Sequence, residues 1–253
     1  MSAEENIKRV KATLAAEGEE RGLKQAMGVT SFKAVYDTLL PAQKETIAGI
    51  SDCAFQSLMQ VGSVISIVYA YKPYAIEAIA QGDEGRWDKE RWNIYSRAYA
   101  RMNKALNETS AVIANVAEGI AIPATVDGIS KKVDTVEEYY ATRVSHRVAA
   151  ELSGVGWRGR HELIIHPSYG PAIRLASVLT TQPIIRTPPL ARTCGDCQAC
   201  LDACRFLKHK DKLDNYREQC RRYLNNLALE DEVCGKCIKA CIKDSLYAAQ
   251  FKL

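Results

Sequence analysis

Apolar residues recur every three to four positions over residues 1–60, where Ile7, Val10 and Leu14, and later Phe32, Val35, Leu39 and Leu40, share helical faces. That stretch is predicted to be helical. Residues 61–71 (VGSVISIVYAY) change the pattern to a run of β-branched and aromatic side chains, which predicts a buried strand. Helical spacing returns over residues 87–118 with Trp92, Tyr95, Tyr99, Met102 and Leu106. A short strand is predicted over 120–126 (IAIPATV), and a helix over 136–153, where Ala149, Ala150 and Ser153 permit close packing. Residues 161–166 (HELIIH) and 171–180 (PAIRLASVLT) flank a turn at Pro167–Gly170 and read as two antiparallel strands.

Residues 181–193 (TQPIIRTPPLART) hold three prolines and few core-type side chains, the composition of a link between domains. The expected organisation is one domain over residues 1–185 and a smaller one over 186–253. A chain of 253 residues is long enough to bury a core on that plan. It has no run of about 18 apolar residues, so no membrane-spanning helix and no membrane partner are expected. Met1-Ser2-Ala3-Glu4-Glu5 lacks the basic-then-apolar order of a secretory signal, which makes the cytoplasm the expected compartment.

Nine cysteines change this picture. Eight lie between Cys194 and Cys241, and only Cys53 lies elsewhere, in an apolar-rich helical stretch where a core position is expected. Such crowding without a secretory signal favours a metal site over disulfides. The first group is Cys194-x2-Cys197-x2-Cys200-x3-Cys204; the second is Cys234-x2-Cys237-x3-Cys241, with Cys220 ahead of it. Three cysteines two residues apart wrap one iron–sulfur cube, and the fourth cysteine of such a run ligates the other cube in two-cluster ferredoxins. Applied here, one [4Fe–4S] cluster takes Cys194, Cys197, Cys200 and Cys241, and the other takes Cys204, Cys220, Cys234 and Cys237. Two zinc sites of four thiolates are the alternative, although zinc usually takes separated Cys-x2-Cys knuckles. Charge follows the cysteines. The net charge of +4 is modest and argues against a dedicated nucleic-acid binder. Residues 1–185 balance 21 Lys+Arg against 21 Asp+Glu, whereas residues 186–253 hold 13 against 9, an excess that offsets the roughly −2 charge of each oxidised cube or, equally, attracts an acidic partner.

The segment Ala149–Gly170 (AAELSGVGWRGRHELIIHPSYG) resembles the epoxyqueuosine reductases, whose corresponding stretch reads A-G-L-G-W-x-G-K-N, then an apolar run and a tyrosine–glycine pair. The order continues as in that family, through a strand, a proline-bearing link, the first cysteine run, a lone cysteine with a tyrosine after it (Cys220-Arg221-Arg222-Tyr223) and the second group. The resemblance implies an α+β protein, with a nitroreductase-like (flavin-reductase-type) α/β domain followed by a small bacterial-ferredoxin-like double-cluster domain. It implies two [4Fe–4S] clusters feeding a cobalamin, with FMN the alternative, and an external electron donor such as ferredoxin or flavodoxin. Reductive dehalogenases are similar in this plan. Arg147, Gly156, Trp157, Gly159, His161, Tyr169 and Gly170 are the cofactor-binding positions it marks, and His166 is a second histidine able to ligate cobalt or bond a corrinoid amide.

Departures from the family shape the remaining expectations. The family's catalytic aspartate falls near Tyr140, so Tyr139 and Tyr140 become the candidate general acids. The Glu-Arg pair becomes His146-Arg147, and Lys-Asn becomes Arg160-His161. The sequence ends twelve residues after Cys241, without the helical-repeat extension that helps such reductases hold tRNA. The expected activity is therefore reduction of a small substrate or of a corrinoid protein. Epoxyqueuosine-tRNA is excluded, and nucleic acid is not expected as a partner. The alternative is a redox carrier or corrinoid-reactivating partner protein without substrate chemistry of its own.

Overall fold

The computed structural model describes residues 1–81, 87–124, 135, 138, 145–213 and 215–243. Helix α1 (Ala3–Glu20) begins in a capping box. The Ser2 hydroxyl accepts from the Glu5 N–H at 3.2 Å, and the Glu5 carboxylate accepts from the Ser2 N–H at 2.8 Å. Ile7, Val10 and Leu14 line its buried face, as their spacing predicts. The helix ends at Gly22, whose φ of 59° turns the chain back.

Residues 25–31, expected to be helical, instead form strand β1 (Gln25–Ser31). The strand pairs antiparallel with β2 (Ser63–Ala70), so Met27 and Val29 stand opposite Ile67 and Ile65. Its short length and single interior glycine hide the period-two signal between two helical stretches. Helices α2 (Phe32–Thr38), α3 (Pro41–Ser51) and α4 (Phe55–Val61) follow. Cys53, expected in the core, is exposed. Asp52 adopts a φ of 37° at the end of α3, which breaks the helical register and places Cys53 in a 3-10 turn facing water.

β2 is buried at every position, as its apolar run predicts. Ile65, Ile67 and Tyr69 face α1 and the long helix α6 (Lys89–Val116), whereas Val64, Val68 and Ala70 face the opposite layer. The Tyr69 hydroxyl meets Thr109 Oγ1 of α6 at 2.8 Å, which satisfies both polar groups inside the core. The four-stranded antiparallel sheet runs β1-β2-β6-β3, with β3 at Ile120–Ile122 and β6 at Ile173–Thr180. The expected strand 120–126 stops at Ile122, Pro123 and Ala124 being in neither helix nor strand, and residues 125–126 lie outside the described residues, as does most of the first half of the helix expected over 136–153. The rest of that helix is α7 (His146–Leu152).

The hairpin expected from residues 161–180 does not form. β5 (Ile164–Ile165) pairs with β4 (Trp157–Arg158), and a single bridge between His166 and Gly170 is what links the two expected strands. β6 is apolar on both faces, and the sheet centre between β2 and β3 is where both faces can be buried. A short α5 (Pro73–Glu77) precedes α6, and α8 (Ala199–Asp202), α9 (Arg205–Lys208), α10 (Tyr216–Leu227) and α11 (Lys236–Lys243) carry the cysteines. Leu227, Leu229, Val233, Ile238 and Ile242 join the same apolar cluster as Ile7, Ile67, Trp92 and Leu106. Segment 181–193 has neither helix nor strand and is tied down along its length. The Asn6 side chain donates to the Pro183 carbonyl at 2.8 Å, the Thr187 N–H donates to Val29 O at 2.8 Å, and Val29 N–H donates to Thr187 Oγ1 at 2.9 Å. No helix among the described residues is long and apolar enough to cross a membrane.

A thiol-rich module beside a basic cavity

The eight cysteines sit where short helices begin or turn. Cys194 and Cys197 precede α8, Cys200 lies on it, and Cys204 is the N-cap residue of α9. Cys220 lies on α10; Cys237 and Cys241 lie one turn apart on α11, with Cys234 just ahead. The thiols fall into two neighbourhoods. Burial pushes Cys200 up to about 11 and Cys241 to about 12, and in both cases Cys194 and Cys197 add to the rise. Burial likewise pushes Cys220 up to about 11 and Cys234 to about 12, with Cys204 adding to both and Cys220 to Cys234. Cys237 is held well above its ordinary value by burial, then by Cys234, Cys220 and Cys204, and least by Cys200 of the other group. Cys194, Cys197, Cys200 and Cys241 thus share one neighbourhood, and Cys204, Cys220, Cys234 and Cys237 the other.

Grouped thiols, several of them buried or half-buried, oppose one another's ionisation and need a positive centre before a set of four can be thiolates. Iron supplies that charge, so the donor set fits a cluster. Among the described residues, no three or more His, Cys, Asp or Glu side chains converge as ligands of a single metal ion.

The second neighbourhood opens onto a cavity of about 390 Å³, within the roughly 300–1,000 Å³ of small-molecule sites. Cys204, Cys220, Cys234 and Cys237 all line it. So do six cations, Arg147, Arg174, Arg205, Arg217, Arg221 and Lys236, whereas no Asp or Glu does among the described residues. Arg147 Nη1 donates to the Glu162 carbonyl at 2.7 Å, and Arg174 donates to Asn103 Oδ1 at 2.9 Å while stacked 4.3 Å over the Tyr99 ring. Arg217 pairs with Glu162, and Arg221 with Glu218 at 2.8 Å, both carboxylates lying outside the cavity wall.

Of the positions the sequence marks, Arg147 and His161 line this cavity. His161 is 6% exposed, and its Nδ1 accepts from the Leu163 N–H at 3.1 Å. The proton must then sit on Nε2, which has no hydrogen-bond partner among the described residues. Burial lowers its pKa to about 4, so the ring is a neutral donor waiting for an acceptor. His166 Nδ1 accepts from the Ser168 N–H at 3.0 Å, and its ring stacks on Tyr169 with centroids 4.6 Å apart.

Gly156, Trp157, Gly159, Tyr169 and Gly170 are not in the cavity wall. A Cβ on Gly156 would stand 2.3 Å from the Ile165 carbonyl, so this glycine lets β4 approach β5. A Cβ on Gly159 would meet the His161 ring at 2.7 Å. Gly170 has a φ of 56° and closes the bridge to His166. Trp157 packs with Ile165, Cys241, Leu190 and Cys194, against the first thiol neighbourhood. Tyr139 and Tyr140 lie outside the described residues. Sequence reasoning missed Arg174 and Lys236; only Lys236 carries a local signal, its place inside Cys234-x2-Cys237.

These features define an α+β protein in which a thiol-rich C-terminal region closes a basic cavity against a small antiparallel sheet. In sequence and fold the chain is epoxyqueuosine reductase-like. It is 30% identical over 145 residues to an epoxyqueuosine reductase of Listeria monocytogenes, a match covering 56% of this chain and 34% of that protein. It is 42% identical over 64 residues to one of a Synechococcus species, covering 25% of this chain and 20% of that one. The solved epoxyqueuosine reductase of Streptococcus thermophilus superposes with a TM-score of 0.50 at 17% identity, covering 91% of this chain and 65% of that one. No protein-family model matches the chain. The matches span about a fifth to a third of these curated relatives' lengths.

These relatives correct two expectations. The sequence departures excluded epoxyqueuosine-tRNA as substrate and nucleic acid as partner. The longest-matching relatives, including one of Staphylococcus aureus at 28% over 155 residues, nonetheless carry the name epoxyqueuosine reductase. The exclusion rested on side chains at a few positions and on where the sequence ends, and neither outweighs relatives of that name matched over more than half of this chain.

Proposed function

We propose that this chain is an iron–sulfur oxidoreductase of the epoxyqueuosine reductase type, acting on epoxyqueuosine in tRNA. Its eight cysteines hold two [4Fe–4S] clusters in the crossed arrangement, in a ferredoxin-like unit following a nitroreductase-like one. The cavity holds cobalamin, with FMN the alternative. Either cofactor would supply two-electron reduction from one-electron inputs.

The observation that carries this reading is the cavity itself. One complete set of four thiols lines its wall, so a cluster held there and a cofactor in the cavity are neighbours. Arg147, Arg174 and Arg205 favour a ligand with anionic groups; Glu162, Glu218 and the roughly −2 charge of a loaded cube offset only part of the six cations. Both candidate cofactors carry a phosphate. His161 Nε2 supplies a neutral donor, and Tyr99 and Phe206 supply flat apolar wall.

Anaerobic reconstitution is expected to give a brown protein with about eight irons and eight sulfides per chain. Cobalamin retained through desalting in preference to FMN supports the cofactor, and conversion of epoxyqueuosine-containing tRNA by the loaded protein supports the activity. A colourless protein with two zinc ions ends the cluster reading; an eight-iron, cofactor-loaded protein inert toward that tRNA ends the substrate reading.

A further inference from the structure

Trp157 is 8% exposed, and its Nε1–H is shut off from solvent without a hydrogen-bond partner among the described residues. A buried donor left unpaired is costly, so nearly all such donors find an acceptor. Four side chains pack with this indole. Ile165 and Leu190 accept no hydrogen bond; Cys194 and Cys241 carry sulfur, which can. Neither thiol is within hydrogen-bond reach of Nε1 in the right direction, so the chain itself supplies no acceptor.

Local sequence builds the seat for this ring. Gly154 has a φ of 69°, and a Cβ there would collide with the Pro188 carbonyl, just as one on Gly156 would collide with the Ile165 carbonyl. Residues 154–158 are thereby pressed between β5 and the proline stretch ahead of Cys194. The pairing of β4 with β5 sets Trp157 opposite Ile165, and the Arg192 guanidinium stands 5.8 Å from the ring centre. The indole is held at the inner side of the first cysteine group and away from the cavity, whose wall it does not join.

Resting on the crossed two-cluster reading above, we propose that Trp157 Nε1–H donates to an inorganic sulfide of the cube held by Cys194, Cys197, Cys200 and Cys241. The acceptor that the protein lacks is one that this cube carries, and two of its four thiols already touch the ring. The Gly156-Trp157-Arg158-Gly159 segment then belongs to a cluster site and not to a cofactor cradle. The indole keeps its proton, and no electron passes through the bond. Reduction adds one negative charge to a cube, and hydrogen bonds to its sulfurs favour the reduced form. Trp157 therefore raises the potential of this cube and leaves that of the other, which lies on the cavity side, unchanged.

The test uses the full chain, loaded anaerobically and labelled isotopically at the tryptophan indole nitrogens. Pulsed electron paramagnetic resonance of the reduced protein should show a magnetic coupling between a cube and an indole nitrogen, and Trp157→Phe should abolish it. Trp157→Phe keeps a flat apolar ring in the seat. In a redox titration it should lower one midpoint by about threefold to tenfold in the one-electron equilibrium, about 28–59 mV, with the other midpoint in place. A purely structural indole would carry no such coupling. An eight-iron protein without the coupling, or one in which Trp157→Phe leaves it intact or leaves both midpoints where they were, overturns this proposal alone. If Trp157→Phe loses iron, Trp87→Phe and Trp92→Phe decide: loss of the coupling in either overturns the proposal, and survival in both supports it. A chain that takes up two zinc ions instead of eight irons overturns this proposal together with the reading beneath it.

Discussion

Acidification should destabilise this fold through His146, by an amount the structure fixes. His146 begins α7 in the cavity wall and is buried. Its Nε2 faces the Pro123 carbonyl at 2.8 Å and must carry the proton, so Nδ1 accepts from Ser177 Oγ at 2.9 Å. Burial lowers its pKa from 6.5 to about 4, and the Arg174 charge adds a little to the lowering. The unfolded chain therefore binds a proton as pH falls through about 6.5, while the folded chain binds one only near 4. Between those values the unfolded state holds more protons, so stability is full above 6.5 and is lost as pH falls. Going from about pH 7.5 to about pH 5 costs about 2 kcal/mol for this one ring. His161 and His166 are lowered to about 4 by burial too, so the unaltered chain should lose up to roughly three times that. Urea unfolding at both pH values, on the unaltered chain and on His146→Gln, isolates the term, because every other titration cancels in the difference. His146→Gln should be less stable at neutral pH but should lose about 2 kcal/mol less on acidification. An identical acid loss in the two proteins would refute the argument that burial of this ring governs it.

Three further outcomes follow from the geometry. Cys241→Ala should leave a three-iron signal from the same cube as Cys194→Ala, and Cys204→Ala from the same cube as Cys237→Ala; a Cys241 variant that matches Cys237 instead means uncrossed ligation. Thr187→Val should cost about 1–3 kcal/mol in thermal or urea unfolding, because the buried Val29 N–H loses its acceptor, and an unchanged midpoint would show that water replaces the hydroxyl. His161→Leu should weaken retention of the cavity's cofactor about threefold to tenfold in an equilibrium binding titration while leaving iron content unchanged, and equal affinity would remove His161 Nε2 from the site.

The central strand and the long helix were legible because each is written locally. β2 is a mostly apolar, β-branched run, and α6 repeats its aromatic residues at helical spacing. β1 was not legible. Gln25–Ser31 has little apolar content of its own and becomes a strand because the edge of β2 offers it hydrogen bonds. The mistaken hairpin has the same origin: two apolar stretches separated by a turn look like partners, yet β6 is taken by β2 and β3, leaving Ile164–Ile165 to β4. Cys53 was misplaced because periodicity cannot reveal a left-handed residue such as Asp52 that resets the helix phase. In the site, the glycines near Trp157 look in sequence like a cofactor cradle, whereas Gly156 makes room for the Ile165 carbonyl. The six cations around the cavity come from α7, β6 and the cysteine helices, and only folding collects them.

The leucines and isoleucines that follow the cysteines, from Leu227 to Ile242, lie in one apolar cluster with the N-terminal helix and the sheet. On the two-cluster reading proposed above, oxygen damage would therefore cost the molecule more than its colour. With the iron gone, the buried thiols would take up protons and lose their common centre, which would loosen α10 and α11, and those helices would withdraw apolar side chains from the core beneath them. The damaged molecule would then show partially unfolded surface to the cell's proteases, while an intact one would not. Iron supply and oxygen exposure would in that way set how long each copy of the protein survives.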